Sequence, residues 1–186
     1  MIHVLKDCGL EARLIRADYI DRTEMGHLLA ALMPANRLVL ELSMATGLRV
    51  GDCVALPTAR LARRMTVREA KTGKIRRVTV PKALYERLAV QAGARWVFEG
   101  RGGPDRHRTT SAVYKDLRRA ATLYRMPKWL HVSPHTARKI YAVEAYRRTG
   151  DIAAVQRLLC HDDPAVTMIY AMADVLTARR GPQRGR

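Results

Sequence analysis

The sequence predicts a mainly α-helical domain of the α+β class, with one small antiparallel β-sheet. Two positive observations and one exclusion carry this. Apolar residues recur at helical spacing through most of the chain, as in Met25, Leu28, Leu29 and Leu32. One stretch, residues 60–80, changes character, with apolar and polar residues alternating in Met65-Thr-Val-Arg and Ile75-Arg-Arg-Val-Thr-Val. No repeated strand–helix–strand pattern and no phosphate-binding glycine loop of the nucleotide-binding kind occurs.

The elements follow in order. Residues 1–19 are a short mixed segment, too short to fold alone. Thr23-Glu24 opens a first helix, and Pro34 follows its end. A second helix runs from about Ala35 to Thr46; Leu38, Val39, Leu42, Met44 and Ala45 predict burial on more than one side, and Gly47 stands where a helix-terminating glycine belongs. A short helix from Asp52 to Leu56 stops at Pro57. Met65-Thr-Val-Arg and Ile75-Arg-Arg-Val-Thr-Val read as paired strands, with Thr72-Gly73 at the hairpin tip. Pro81 ends them, Lys82 to Gln91 are helical, and Trp96-Val97-Phe98 form a brief strand. Residues 99–108 read as a loop rich in glycine and arginine. Helices recur at about 110–124, 134–149, 152–160 and 164–171, with Gly150 ending one and Asp151 capping the next. The basic segment 174–186 is expected to be a flexible tail.

The 186 residues suit one domain. Lysine and arginine number 34 against 17 acidic residues, a net charge of +17. That excess favours a polyanionic partner, through phosphate neutralisation and counterion release. No apolar run approaches the ~20 residues that span a bilayer, so no membrane partner is expected. The three cysteines Cys8, Cys53 and Cys160 are scattered, which offers neither a disulfide framework nor a metal site. A cytoplasmic setting follows, with Cys53 and Cys160 as small core residues.

Several residues could carry chemistry. His135 and Arg138 share one face if they lie on the first turn of a helix after Pro134. Arg49 follows a hydrophobic helix so closely that it is either functional or paired, with Asp52 as a possible partner. Lys71 stands at the hairpin tip with Lys74, Arg76 and Arg77, and spacing alone does not separate Lys71 from Lys74. Tyr170 ends a short helix, where a tyrosine is as well explained by packing as by reactivity.

Taken together, Ala-Thr-Gly-Leu-Arg49-Val-Gly-Asp52, the Lys71-Thr-Gly hairpin, Pro-His135-Thr-Ala-Arg138 and Leu-Leu-Cys-His161-Asp-Asp-Pro-Ala-Val-Thr-Met-Ile-Tyr170 resemble the catalytic domain of tyrosine recombinases, the phage-type integrases. The resemblance covers residues 20–173 and implies the DNA breaking-rejoining fold of that family. It implies that Tyr170 attacks the scissile phosphate to give a 3′-phosphotyrosyl link. Arg49 and Arg138 would clamp the non-bridging oxygens, with His161 donating a hydrogen bond beside them. Lys71 would protonate the leaving 5′ oxygen, and His135 would assist proton transfer at the tyrosine. No metal or other cofactor is implied. Further DNA contacts are expected from Lys74, Arg76, Arg77, Arg106 and Lys139.

The chain departs from the family pattern at Cys160, where glycine is common, and at Lys139, where histidine or arginine is more usual. At most about twenty residues precede the resemblance, too few for the separate core-binding domain that such enzymes usually carry, which leaves an isolated domain, a piece of a longer protein and a naturally short relative as alternatives. The implied partner is double-stranded DNA in a nucleoid setting, with a monomer when free and a tetramer on DNA. Two other readings keep the fold: a DNA-binding regulator, and a DNA-relaxing activity of the type IB topoisomerase kind. The low aromatic content, 5%, argues against base-stacking RNA recognition.

Overall fold

The computed structural model describes residues 17–180. Helix α1 (Arg22–Ala30) starts at Asp21, whose side chain accepts from Glu24 N while the Glu24 carboxylate accepts from Asp21 N. Helix α2 (Pro34–Thr46) begins on Pro34 itself, at the position where a missing N–H costs nothing. It is buried nearly all round, as its sequence predicts, and ends at Gly47 with φ +67°. A β-carbon there would stand 2.5 Å from the Tyr141 ring, so glycine is required on two counts. Helix α3 (Val50–Val54) starts two residues earlier than expected, directly after Arg49.

The predicted hairpin forms from β1 (Arg64–Arg68) and β2 (Ile75–Thr79), antiparallel, with Met65 opposite Val78. Met65, Val67 and Val78 face the core, as the alternation requires. Glu69 N donates to Lys74 O, and Gly73 N returns to Glu69 O, which closes the turn. Helix α4 (Lys82–Gln91) follows.

The next stretch differs from the sequence reading. Val97 and Phe98 are both fully buried in a turn rather than alternating in a strand, and only Trp96 makes a bridge, to Pro57. The glycine- and arginine-rich segment is a second small hairpin, β3 (Glu99–Gly100) with β4 (Gly103–His107). Gly103, at φ +96°, makes a reversal that composition alone does not distinguish from a loop.

Helices α5 (Thr110–Leu123), α6 (Pro134–Thr149), α7 (Ile152–Leu159) and α8 (Pro164–Ala171) occupy the predicted places. Asp151 and Asp163 each accept a backbone N–H at the start of the helix they cap. Helix α9 (Ala173–Arg180) replaces the expected flexible tail as far as residue 180; residues 181–186 lie outside the described residues. Thr177 anchors it, buried and accepting from Tyr19 N at 2.8 Å. Of the segment 1–19, Ala17 and Asp18 are buried and Tyr19 half-buried against the domain. Residues 1–16, with Cys8, lie outside the described residues.

The main core gathers around α2 and takes in the inner face of β1 and β2, Phe98, α5 and the first half of α6. A smaller core of Ala142, Ala145, Val155 and Leu159 joins α6 to α7, with Tyr141, Tyr146 and Tyr170 packed against it. No helix among the described residues is long and apolar enough to cross a membrane.

Candidate active site

The end of α2 builds a platform. Because Gly47 turns the chain left-handed, its carbonyl is free of the helix ladder, and it accepts from Arg76 Nη1 at 3.0 Å and from Arg138 Nη1 at 2.5 Å. Arg138 also donates from Nη2 to Leu159 O at 2.7 Å, at the C-terminal end of α7. Glu69 sits beneath, fully buried. Its carboxylate pairs with Arg49, lies 3.5 Å from Arg76 and 3.6 Å from Arg138, and accepts from Thr72 Oγ1 at 2.8 Å. One carboxylate faces three guanidiniums, so the cluster stays net positive. Arg49 fronts it with its side chain 21% exposed, whereas Arg138 lies behind at 2%. A guanidinium has five N–H donors, and Arg138 commits two to these carbonyls.

Beside the cluster stands the tyrosine. Ser133 caps α6 and Pro134 occupies its first turn, which puts His135 at the open end of the helix and Arg138 one turn further in. Tyr170, near the end of α8, places its hydroxyl 3.4 Å from His135 Nδ1. The His161 ring meets the Tyr170 ring edge-on, 5.1 Å between centroids with planes at 77°, and its Nδ1 lies 3.3 Å from Thr167 Oγ1. His161 follows Cys160, which ends α7 at φ +51° in the left-handed region. That geometry explains why glycine suits this position. Cys160 is therefore a half-buried helix terminator rather than a core residue, whereas Cys53 is fully buried as expected.

The local field keeps both histidines neutral at pH 7. Burial and the nearby Arg138 and Lys139, then Arg49 and Lys71, hold His135 below its ordinary value. Burial, then Arg138 and Arg49, push His161 down to about 3. Burial raises the Tyr170 phenol above its usual range, against the pull of Arg138 and Arg49. A neutral phenol and a neutral imidazole thus stand side by side at the edge of the arginine cluster. Burial also lifts Glu69, but hydrogen bonds from Thr72 and Arg49 outweigh it and keep the carboxyl ionised. Arg138 is lowered to about 10, by burial and then by Arg49 and Arg76, and so stays charged.

Tertiary placement separates the two hairpin lysines. Lys74 pairs with Asp162 and reaches Cys160 O at 3.4 Å. Lys71 is exposed at the tip and, among the described residues, makes no hydrogen bond or ion pair, while its charge still reaches His135. Arg77 is exposed on β2, and Arg106 is exposed on the second hairpin, outside the cluster.

Two expected DNA contacts are corrected. Arg76 points inward, 5% exposed, on Thr46 O and Gly47 O, because strand alternation puts it on the core face. Lys139 is 3% exposed, with its ammonium on Ala17 O. The suggested Arg49–Asp52 pair is also replaced: Asp52 Oδ1 accepts from Ala70 N at 2.9 Å and anchors the hairpin turn instead. The residue that sequence reasoning missed is Glu69. Its signal was there, since Met65 and Val67 face inward and Glu69 is next on that face.

A family model described as "Phage integrase family" matches residues 18–176. The chain belongs to the phage integrase family. A tyrosine recombinase XerD of Caulobacter vibrioides is 33% identical over 174 residues, which covers 81% of this chain and 56% of that protein. A tyrosine recombinase XerC of Pseudomonas aeruginosa is 33% identical over 151 residues, covering 75% of this chain and 48% of the relative. The chain thus spans about half the length of these curated relatives. Among solved structures, a lambda integrase dimer bound to a COC′ core site superposes with a TM-score of 0.72 at 18% identity, covering 92% of this chain and 63% of that one. The catalytic domain of bacteriophage HP1 integrase gives 0.63 at 19% identity, covering 90% and 96%. At such identities the structures establish a shared fold, and it is the fold of integrase catalytic domains.

Proposed function

We propose that this integrase-family chain is the catalytic part of a site-specific recombinase that cuts and rejoins double-stranded DNA through Tyr170. One observation carries the reading: the Tyr170 hydroxyl lies 3.4 Å from His135 Nδ1, beside three arginines that share a single carboxylate. An anionic phosphate suits such a surplus of guanidinium donors.

Tyr170 Oη forms the new bond to phosphorus while its proton passes to neutral His135. Arg49 and the unused N–H groups of Arg138 take the charge that grows on the non-bridging oxygens, with His161 beside them. The bond from phosphorus to the 5′ oxygen breaks, and Lys71 supplies the proton that this oxygen takes up. The product is a 3′-phosphotyrosyl link and a free 5′-hydroxyl. A 5′-hydroxyl from another strand reverses the step, so the strands exchange without an external energy source. Lys74, Arg77 and Arg106 add phosphate contacts around this centre. Strand exchange needs two duplexes, which we assign to a tetramer assembled on DNA from chains that are monomeric when free. The setting is the cytoplasm, at the nucleoid.

The test is adduct formation on a random-sequence pool of nicked duplexes, where the released fragment diffuses away and traps the covalent product. The chain should become covalently linked to DNA, and Tyr170→Phe should abolish the link while binding persists. An adduct that survives in the phenylalanine variant would overturn the assignment of the nucleophile.

A further inference from the structure

Lys139 is charged, buried and absent from the chemistry above. It follows Arg138 on α6, 3% exposed, and its ammonium donates to Ala17 O. The same nitrogen lies 5.6 Å from the centroid of the Tyr170 ring, within the range of a cation–π contact. Burying an ammonium is costly, so such a group persists where polar partners hold it in place. Here they hold it against the ring of the nucleophile. His161 meets that ring edge-on, and His135 faces its hydroxyl.

The residues around Ala17 extend the connection. Asp18 O accepts from Thr136 Oγ1 at 2.8 Å, on the first turn of α6. Asp18 Oδ2 accepts from His131 N at 2.7 Å, just before that helix. Tyr19 N donates to Thr177 Oγ1, on the helix that follows the nucleophile. A strap of three residues therefore joins the helix that carries His135 and Arg138 to the helix after Tyr170, and Lys139 links that strap to the tyrosine ring.

We infer that Lys139 is a positioning residue for the nucleophile: its ammonium, hung from Ala17 O, fixes the Tyr170 ring so that the hydroxyl stays on His135. The contribution to catalysis rests on the reading of Tyr170 as nucleophile; the hold on the ring does not. Among the described residues, the charged or titratable groups around the phenol include Arg49, Arg138, His135 and His161, besides Lys139 itself.

Two measurements test the inference. In protein carrying 13C-labelled tyrosine, without DNA, the Tyr170 signal is identified by its loss in Tyr170→Phe. Lys139→Met keeps the length of the stem and removes the charge; it should displace the Tyr170 ring signals and move the phenol titration to higher pH, since a nearby positive charge favours the phenolate. Lys139→Arg should leave both near wild type. Unchanged Tyr170 signals in folded Lys139→Met would overturn the inference, and Lys139→Gln serves if the methionine variant does not fold. On the nicked duplex pool, Lys139→Met should slow adduct formation about 10-fold at unchanged duplex affinity, with Lys139→Arg restoring most of the rate. Equal losses in both variants, or a loss of binding alone, would overturn the catalytic part. If Tyr170→Phe still forms adducts, the nucleophile reading fails, and the spectra still decide whether Lys139 holds the ring.

Discussion

Two hydrophobic centres meet along α6, and they hold different parts of the site. The main core surrounds α2 with large side chains such as Leu38, Leu40, Leu42, Phe98 and Leu117, and it carries Gly47, Glu69 and Arg138. The smaller core is Ala142, Ala145, Val155 and Leu159, and it carries Tyr170. Stabilisation scales with the apolar area buried, and alanines bury little. The arginine cluster is thus set in the larger core. Tyr170 rests on the smaller core, two of whose four buried residues are alanines, and polar groups meet its ring and hydroxyl. On the proposed reading, the charge that meets phosphate is preorganised in the firmer region and the attacking oxygen is held in the softer one.

Substitutions that strike one region and spare the other test this contrast. Glu69→Ala should have the largest effect. It leaves three guanidiniums without their shared carboxylate, and breaking a buried ion pair in this way costs about 3–5 kcal/mol. Urea denaturation measures the loss; a change below about 1 kcal/mol would show that the cluster does not anchor the main core. Leu159→Ala should follow, at about 2–5 kcal/mol if the cavity stays open. Amide hydrogen exchange should then rise over α7 and α8 while α2 stays protected. Uniform loosening of both regions would remove the distinction between them.

Acid should act on both regions in the same direction. His161 keeps a folded value of about 3 against its ordinary 6.5, so the unfolded chain binds a proton first as pH falls through that window, and stability drops. Glu69, lowered from 4.5 in the folded chain, adds to the loss below that pH. The urea midpoint should hold steady above neutrality and decline below pH 6.5, and His161→Gln should flatten the decline between 6.5 and 4.5. A midpoint that rises on acidification would contradict the burial of a neutral His161. Cys160→Gly should have the smallest effect, a gain of about 1 kcal/mol, because a left-handed residue at φ +51° carries steric strain that glycine lacks. An unchanged or lowered midpoint would mean that the Cys160 side chain contributes packing which offsets that strain.

Much of this protein was legible in local patterns. Helix caps at Asp151 and the stop at Gly47 depend on residues a few positions apart, so spacing revealed them. The alternation at 65–68 and 75–80 located the hairpin for the same reason. The resemblance of four short motifs brought Arg49, Lys71, His135, Arg138, His161 and Tyr170 onto one list. The second hairpin escaped because glycine and arginine at 99–108 have no hydrophobic period. Arg76 and Lys139 were misjudged because a count of charges does not tell which face of a strand or helix each one takes.

The sequence by itself thus determined most of the helices, the first hairpin, their order and the basic charge, since these follow from composition, periodicity and short-range steric rules, while the candidate chemistry came from the resemblance of its motifs to a known family. Only the tertiary structure decided that Glu69 gathers three arginines, that Lys74 rather than Lys71 pairs with Asp162, and that Lys139 lies against the tyrosine. The physical reason is that the ionic and ring contacts which make the site join segments far apart in the chain. Whether a buried charge is satisfied there depends on groups brought together across as many as 122 positions, a distance no local pattern spans.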